Sequence, residues 1–427
     1  MISSFPIKLS KPNIMGIFIG VVCLVILTLP NISCTSSKNF DHELNEIIKP
    51  YKFSIAEWEI EAISYEIEDF LYGIGDVTIN DSYIVIEYFS IIQQINDLQH
   101  QIEIDSNSIV QNYIEESKKN LKQLRRQKNE LEDRVERVIQ KQITETLKKV
   151  GIHHPLDHYL NFAFSFPPVN FELEMPPNLL VISTRENIER IEEITLVQEI
   201  SMEERQQIED SIDELGVSSI VIGIGGMATY PSFVIDSAGL QFTINVAIEE
   251  WLHQYLFFRP LGFLYSLHLA GIAPDSEIAV LNETLVDIAR QEIGDLLYRN
   301  YYSPFFLDKE IITQEGKNQP NITEFDFYQE MREIRLLVDD YLAKGEVDKA
   351  EMFMEQKRIF MASKGYYIRR LNQAYFAFYG TYAAGPISVN PIGEELKAFR
   401  EQNTSLSEFL NRVSAITSRN ELKSILE

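Results

Sequence analysis

A predominantly helical α+β protein is what this sequence predicts, and three observations predict it. No proline falls between Pro50 and Pro155, and apolar residues there recur at helical spacings of three and four. Between Phe166 and Ile235 the pattern changes to short, proline-bounded, strand-like runs. From Gly239 onward the helical spacing returns and continues toward the C-terminus. The expected arrangement is a long N-terminal helical region, a small mixed sheet beside a two-helix core, and a C-terminal helical subdomain.

Residues 1–35 come first. Asn13 to Leu29 is an apolar run without charge, preceded by Lys8 and Lys11 and followed by Pro30. That is the composition of a signal peptide or a membrane anchor, and its basic flank places the rest of the chain on the extracytoplasmic side of a cell membrane. About seventeen residues is short for a span and long for a signal core, so cleavage, retention as an anchor and lipidation at Cys34 all stay open. Cys23 lies inside the run and Cys34 just after it, and the sequence has two cysteines, so the exported part holds no internal disulfide.

Charge narrows the partners. The chain carries a formal −26, and because residues 1–35 contain two lysines and no acids, the remainder carries −28. So acidic a body is not a nucleic-acid binder, nor one drawn to an anionic membrane surface. The 25 phenylalanines and 20 tyrosines are ample for a large core, which argues for a globular chain rather than a disordered one.

Residues 36–155 read as a helical bundle or a long hairpin. Leu121, Leu124, Leu131, Val135, Val138 and Ile139 form the seam of a helix whose other face, over Lys118 to Lys149, is charged and solvated. Residues 156–305 read as an α+β core. Val169 to Leu173 alternates, and Leu179 to Ser183 is a short buried strand. Ser201 with Glu204 makes a capping box for a helix over 201–214. Ser218 to Ile224 and Tyr230 to Ile235 are strands separated by Gly225-Gly226. The apolar stretch Phe257 to Ala270 suits either core or a pocket wall, with His268 a wall or core residue. Residues 306–427 form the C-terminal subdomain, with helices over Phe325 to Ala343, Val347 to Ser363 and Tyr366 to Tyr382. His153, His154 and His158 sit at a helix-to-strand junction without an acid four residues on along the same helix, as surface or capping residues.

Two helices carry chemistry. Glu249-Glu250-Trp251-Leu252-His253 lies on the first, from Gly239, and Asn282-Glu283-Thr284-Leu285-Val286-Asp287 on the second, from Ser276 to Tyr298. Positions i and i+4 share a helix face, so Glu249 and His253 can grip one metal ion while Glu250 serves as a catalytic general base toward water. Glu283 supplies a third ligand and a fourth position stays open.

This pair of motifs resembles the signature of gluzincin metallopeptidases, the thermolysin-like and aminopeptidase-like group, H-E-x-x-H followed by N-E-x-x-x-D. The matching motifs cover about positions 246–295, with Glu249 standing where the family has its first histidine. The resemblance implies that Glu250 is the general base, His253 and Glu283 are metal ligands, and Asp287 is the outer aspartate that orients the first ligand. Through the cleft-closing C-terminal subdomain of such enzymes it also implies that Arg369, Arg370 or Tyr375 faces the developing oxyanion. The strand of that family that pairs with extended substrate corresponds to Ile220 to Tyr230, which equally suits an internal hairpin.

The exchange at Glu249 has consequences. Two carboxylates and one imidazole neutralise a dication, weaken it as a Lewis acid, and shift preference from zinc toward manganese or iron. Asp287 facing Glu249 sets like charges together, which demands a proton, another cation, or a separation of the pair. A di-iron reading of Glu250-x-x-His253 requires a second copy of the motif, and the chain contains none. No phosphate-cradling glycine loop or nucleophile elbow is present either. Two expectations remain. One is an exported, membrane-associated metallopeptidase binding one divalent ion (Zn, or Mn or Fe) and cleaving peptides. The other is a catalytically silent, metal-free relative in the bacterial cell envelope that binds a peptide or a partner.

Overall fold

The computed structural model describes residues 38–55, 78, 80–105, 111–154, 166–305, 325–383, 385 and 388–426. The apolar run at 13–29, Cys34 and His158 lie outside the described residues. Among the described residues no helix is long and apolar enough to cross a membrane.

The fold is predominantly helical α+β, with thirteen α-helices and two three-stranded sheets among the described residues. After α1 (Lys38–Ile48), the long helices α2 (Ser82–Asp105) and α3 (Gln111–Lys149) form a hairpin. Its antiparallel sense follows from Gln142 reaching Ser82 at 3.0 Å while Tyr88 donates to Glu132 at 2.7 Å. The predicted seam is real toward its C-terminal end. Val135, Val138, Ile139, Ile143 and Leu147 are buried against Ile84, Val85, Tyr88 and Ile92, whereas Leu121, Leu124 and Leu131 are half-buried. The hairpin does not stand apart, since its seam joins the same apolar core as the two motif helices. Polar contacts lock it there, with Glu136 accepting from the Leu173 amide at 2.7 Å and Tyr302 donating to Gln142.

One sheet has the order β3 (Arg190–Leu196), β2 (Asn178–Ser183), β4 (Ser218–Gly223), all antiparallel. Alternate residues face opposite ways along a strand, and here both faces are covered. Leu180, Ile182 and Val221 pack against α1 and α4 (Met202–Asp213), while Val181 and Ile220 pack against α10 (Gln373–Tyr379). Two-sided burial is why Leu179–Ser183 is continuously apolar. It is also where α1 belongs: Leu44 and Ile48 pack with this sheet rather than with α2 and α3. Strand β3 is a feature the sequence reading did not foresee, because its Glu192 and Glu193 interrupt the apolar alternation. The capping box of α4 forms as expected, Ser201 and Glu204 bonding each other's backbone amides. The second sheet, β1 (Phe171–Leu173), β6 (Ser232–Val234), β5 (Gly226–Met227), is mixed.

Helices α5 (Leu240–Phe257), α6 (Pro260–Leu269) and α7 (Ser276–Tyr301) pack together at the centre. Pro260 opens α6 where no amide hydrogen is required, and a Cβ at Gly262 would sit 2.1 Å from the Leu256 carbonyl oxygen. That contact lets α6 fold back directly onto α5. Beyond them, α8 (Phe327–Ala343) and α9 (Val347–Ser363) form a second hairpin around Met331, Ile334, Val338 and Met354. Helices α11 (Pro391–Gln402), α12 (Leu406–Ser414) and α13 (Arg419–Leu426) close the central core through Phe399, Phe409 and Leu422. The helix expected over Tyr366 to Tyr382 is shorter, since α10 begins only after Asn372, whose side chain caps it at Tyr375 N, 2.9 Å.

Candidate metal centre

Helix α5 is apolar around most of its circumference. Ile244, Ala247, Ile248, Trp251, Leu252, Tyr255 and Leu256 are all buried. Glu249, Glu250 and His253 lie on the enclosed part of this helix, so their polar groups must find partners in the interior. Helix α7, packed against it, brings Glu283, Asp287 and Arg290 to the same place. One ligand atom each from Glu249, His253 and Glu283 lies within 4.8 Å of the others. His253 Nε2 is 3.7 Å from Glu283 Oε2.

The remaining bonds orient these groups. The Tyr265 hydroxyl, from α6, donates to Glu283 Oε1, and its ring stacks on His253 with centroids 5.8 Å apart. Glu283 Oε2 is buried and has no hydrogen-bond partner. Asn282 contacts His253 Nδ1 at 3.2 Å, and its own Oδ1 is a second buried atom without a partner. With that amide turned over, Oδ1 would accept from Nδ1–H and the Nε2 lone pair would face Glu283. The buried, unpartnered Glu283 Oε2 beside an imidazole nitrogen that can take that tautomer is a donor set that fits a divalent ion.

Asp287 does not meet Glu249 directly. Arg290 stands between them, its Nε 3.1 Å from Glu249 Oε2 and its Nη2 2.5 Å from Asp287 Oδ1, with Gln291 also donating to Asp287 at 3.0 Å. The like-charge conflict posed by the sequence is thus resolved by a guanidinium. Burial still dominates the acids. It raises Glu249 despite Arg290, and raises Glu250 well above the usual carboxylate range with the charges of Glu249 and Glu283 adding to the effect. Burial pushes Glu283 up to about 7 against the lowering influence of Tyr265 and Arg190. His253 is lowered by burial, which keeps its ring neutral near neutral pH.

The cluster forms one wall of a cleft of about 780 Å³. The backbone of Gly223 to Ala228 also lines it, passing close beside Glu250, and Phe242, Phe257, Leu269 and Tyr382 add apolar surface. A Cβ at Gly226 would lie 2.6 Å from Glu250 Oε1, so only glycine lets this backbone pass the carboxylate. Tyr382 is held unionised by burial and by the acids it faces, Glu283 and Glu249 foremost.

Of the residues singled out from sequence, Glu249, Glu250, His253, Glu283 and Asp287 come together. Arg369, Arg370 and Tyr375 do not join them. Arg369 and Arg370 both bind the buried carboxylate of Glu209, and Arg370 also binds Asp213. Tyr375 packs against Tyr379 with ring centroids 4.5 Å apart and does not line the cleft. His268 accepts from the Asp275 amide at 2.8 Å, and His154 stacks on Phe166. Three participants escaped the sequence reading. Arg290 was legible, one turn beyond Asp287 on the same helix. Tyr265 and Tyr382 carried no signal, because only the packing of α6 and the path after α10 aim them inward. No family model, no curated protein and no solved structure matches the chain.

Proposed function

We propose that this chain is a metal-dependent hydrolase of the metallopeptidase kind, with Glu249, His253 and Glu283 holding one divalent ion and Glu250 accepting the proton of the attacking water. The observation that carries the proposal is Glu283 Oε2, a buried carboxylate oxygen without a partner, 3.7 Å from His253 Nε2. Leaving such an atom unpaired costs about 1–3 kcal/mol or more, and a cation removes that cost. When bound, a divalent ion supplies Lewis acidity and lowers the pKa of water.

The chain's own groups do the rest. Glu250 sits beside the ligand set, where a bound cation would offset the effect of burial on its carboxyl and let it take a proton from water and return it to a leaving amine. Tyr382 stays protonated and presents a donor toward charge developing in the cleft. The apolar surface around Phe242 and Phe257 can accommodate side chains of a peptide. The apolar run at 13–29 supports an exported, membrane-associated setting for this activity.

A second reading has its own support. Arg290 already lies at ion-pair distance from Glu249, so a silent relative could keep the cluster as an ion network and use the cleft to bind peptide. Elemental analysis of the purified protein after exposure to zinc, manganese and iron separates the two, with His253→Ala and Glu250→Gln as comparisons. The enzyme reading expects one ion per chain, lost in His253→Ala and kept in Glu250→Gln, with peptide hydrolysis absent from both variants. No ion in the unaltered protein sinks that reading and leaves the silent one.

A further inference from the structure

We infer that Arg290 is a resident counter-cation that makes Glu249 act as a neutral ligand, so the altered site presents a metal with the same net charge as a two-histidine, one-glutamate site. This rests on the metal reading above and extends it to the residue that makes the exchange at position 249 workable.

The argument is one of charge at close range. In a site of two imidazoles and one carboxylate, with an aspartate behind the first imidazole, the ligands and that outer partner carry a formal −2. Here Glu249, Glu283 and Asp287 are three carboxylates, a histidine that ligates a metal is neutral, and Arg290 supplies one positive charge, which again gives a formal −2. The guanidinium is well placed for that role. It lies 3.1 Å from Glu249 and 2.5 Å from Asp287, and its side chain is only 22% exposed, so solvent screens it weakly. Arginine stays protonated under all ordinary conditions, whereas a lysine so buried is prone to lose its charge. One guanidinium reaches both acids, hydrogen-bonding Asp287 through Nη2 and lying at ion-pair distance from Glu249 through Nε.

Two consequences follow. The weakening of the metal as a Lewis acid that the sequence suggests is largely cancelled, because one of the two ligand carboxylates is neutralised from behind. Position 249 and position 290 become a coupled pair, so that neither can be changed alone without altering the net charge around the ion. Histidine at 249, which on sequence grounds rebuilds the family's ligand set, would sit against an arginine that had lost half of its pairing.

Zinc and manganese titration of the apoprotein against a competing chelator tests this on the wild type, Glu249→His, Arg290→Met and the double variant, with circular dichroism to verify folding. Wild type is expected to bind one ion. Glu249→His alone should bind zinc at least tenfold more weakly, and adding Arg290→Met to it should recover the lost affinity. Arg290→Met alone should bind at least tenfold more tightly, and Arg290→Lys, measured at a pH low enough to keep the amine charged, should stay within threefold of wild type. A Glu249→His protein that binds zinc more tightly than wild type, with the Arg290 change merely additive, overturns the inference while leaving the metal site standing. Absence of an ion in wild type removes the metal reading itself, and this inference with it. Should Arg290→Met fail to fold, the Glu249→His and Arg290→Lys titrations still decide the matter.

Discussion

Replacing Glu209 by alanine tests the reassignment of Arg369 and Arg370 from the cleft to the scaffold. Glu209 is fully buried, and its carboxylate accepts from the Val221 amide at 2.6 Å, from Arg369 Nη1 at 2.7 Å and from Arg370 Nη1 at 2.9 Å. It therefore ties α4, β4 and the segment leading into α10 to one point. Removal leaves Arg369 with the Val221 carbonyl at 2.9 Å and Arg370 with Asp213, and leaves the Val221 amide without its acceptor. Breaking a buried charged network from one side costs about 3–5 kcal/mol, since the remaining charges stay desolvated. Asp210 provides the comparison. Its side chain is 57% exposed and 3.5 Å from Arg370, so Asp210→Ala should cost less than about 0.5 kcal/mol. Urea unfolding gives both values if the slope is unchanged between variants. Metal uptake should be the same in all folded proteins, because neither arginine faces the cluster. A Glu209→Ala loss below about 1 kcal/mol refutes the reasoning, and so does a loss of metal binding without a loss of fold.

Other perturbations probe other parts of the structure. Burial pushes Glu136 up to about 8, with the Leu173 hydrogen bond opposing the shift. Because its folded value lies above the unfolded one, the stabilisation is complete below the ordinary glutamate value of 4.5 and is lost as pH rises through about 8. The urea midpoint should fall between pH 5 and 9, and Glu136→Gln should flatten that fall. An unchanged slope would count against it. Tyr265→Phe removes the donor to Glu283 Oε1, and chelator titration should find metal affinity reduced about tenfold with stoichiometry intact. Gly226→Ala drives a Cβ to 2.6 Å from Glu250 and 2.8 Å from the Phe233 carbonyl oxygen. Thermal unfolding should record a loss of about 1–3 kcal/mol, with hydrolysis suppressed more strongly than metal binding.

Much of the helical architecture was legible because its signals are local. The capping box at Ser201 and Glu204, the helix over Val347 to Ser363 and the start of α5 at Gly239 each depend on residues within one or two turns. What failed was equally instructive. Strand β3 escaped because the adjacent acids Glu192 and Glu193 break the apolar alternation that marks a strand. Arg369 and Arg370 looked available for an oxyanion because nothing in their own neighbourhood reveals Glu209, some 160 positions earlier in the chain.

The candidate site divides along the same line. The sequence by itself determined that Glu249, Glu250 and His253 share one helix face and that Glu283 and Asp287 share another, since helical spacing alone sets which side chains point together. Only the tertiary structure decided that the two faces meet, that Glu283 Oε2 is left without a partner, and that Arg290 stands between Glu249 and Asp287. Spacing along a helix is fixed by backbone hydrogen bonds, whereas the charge balance of a buried cluster depends on which distant side chains packing brings within a few ångströms.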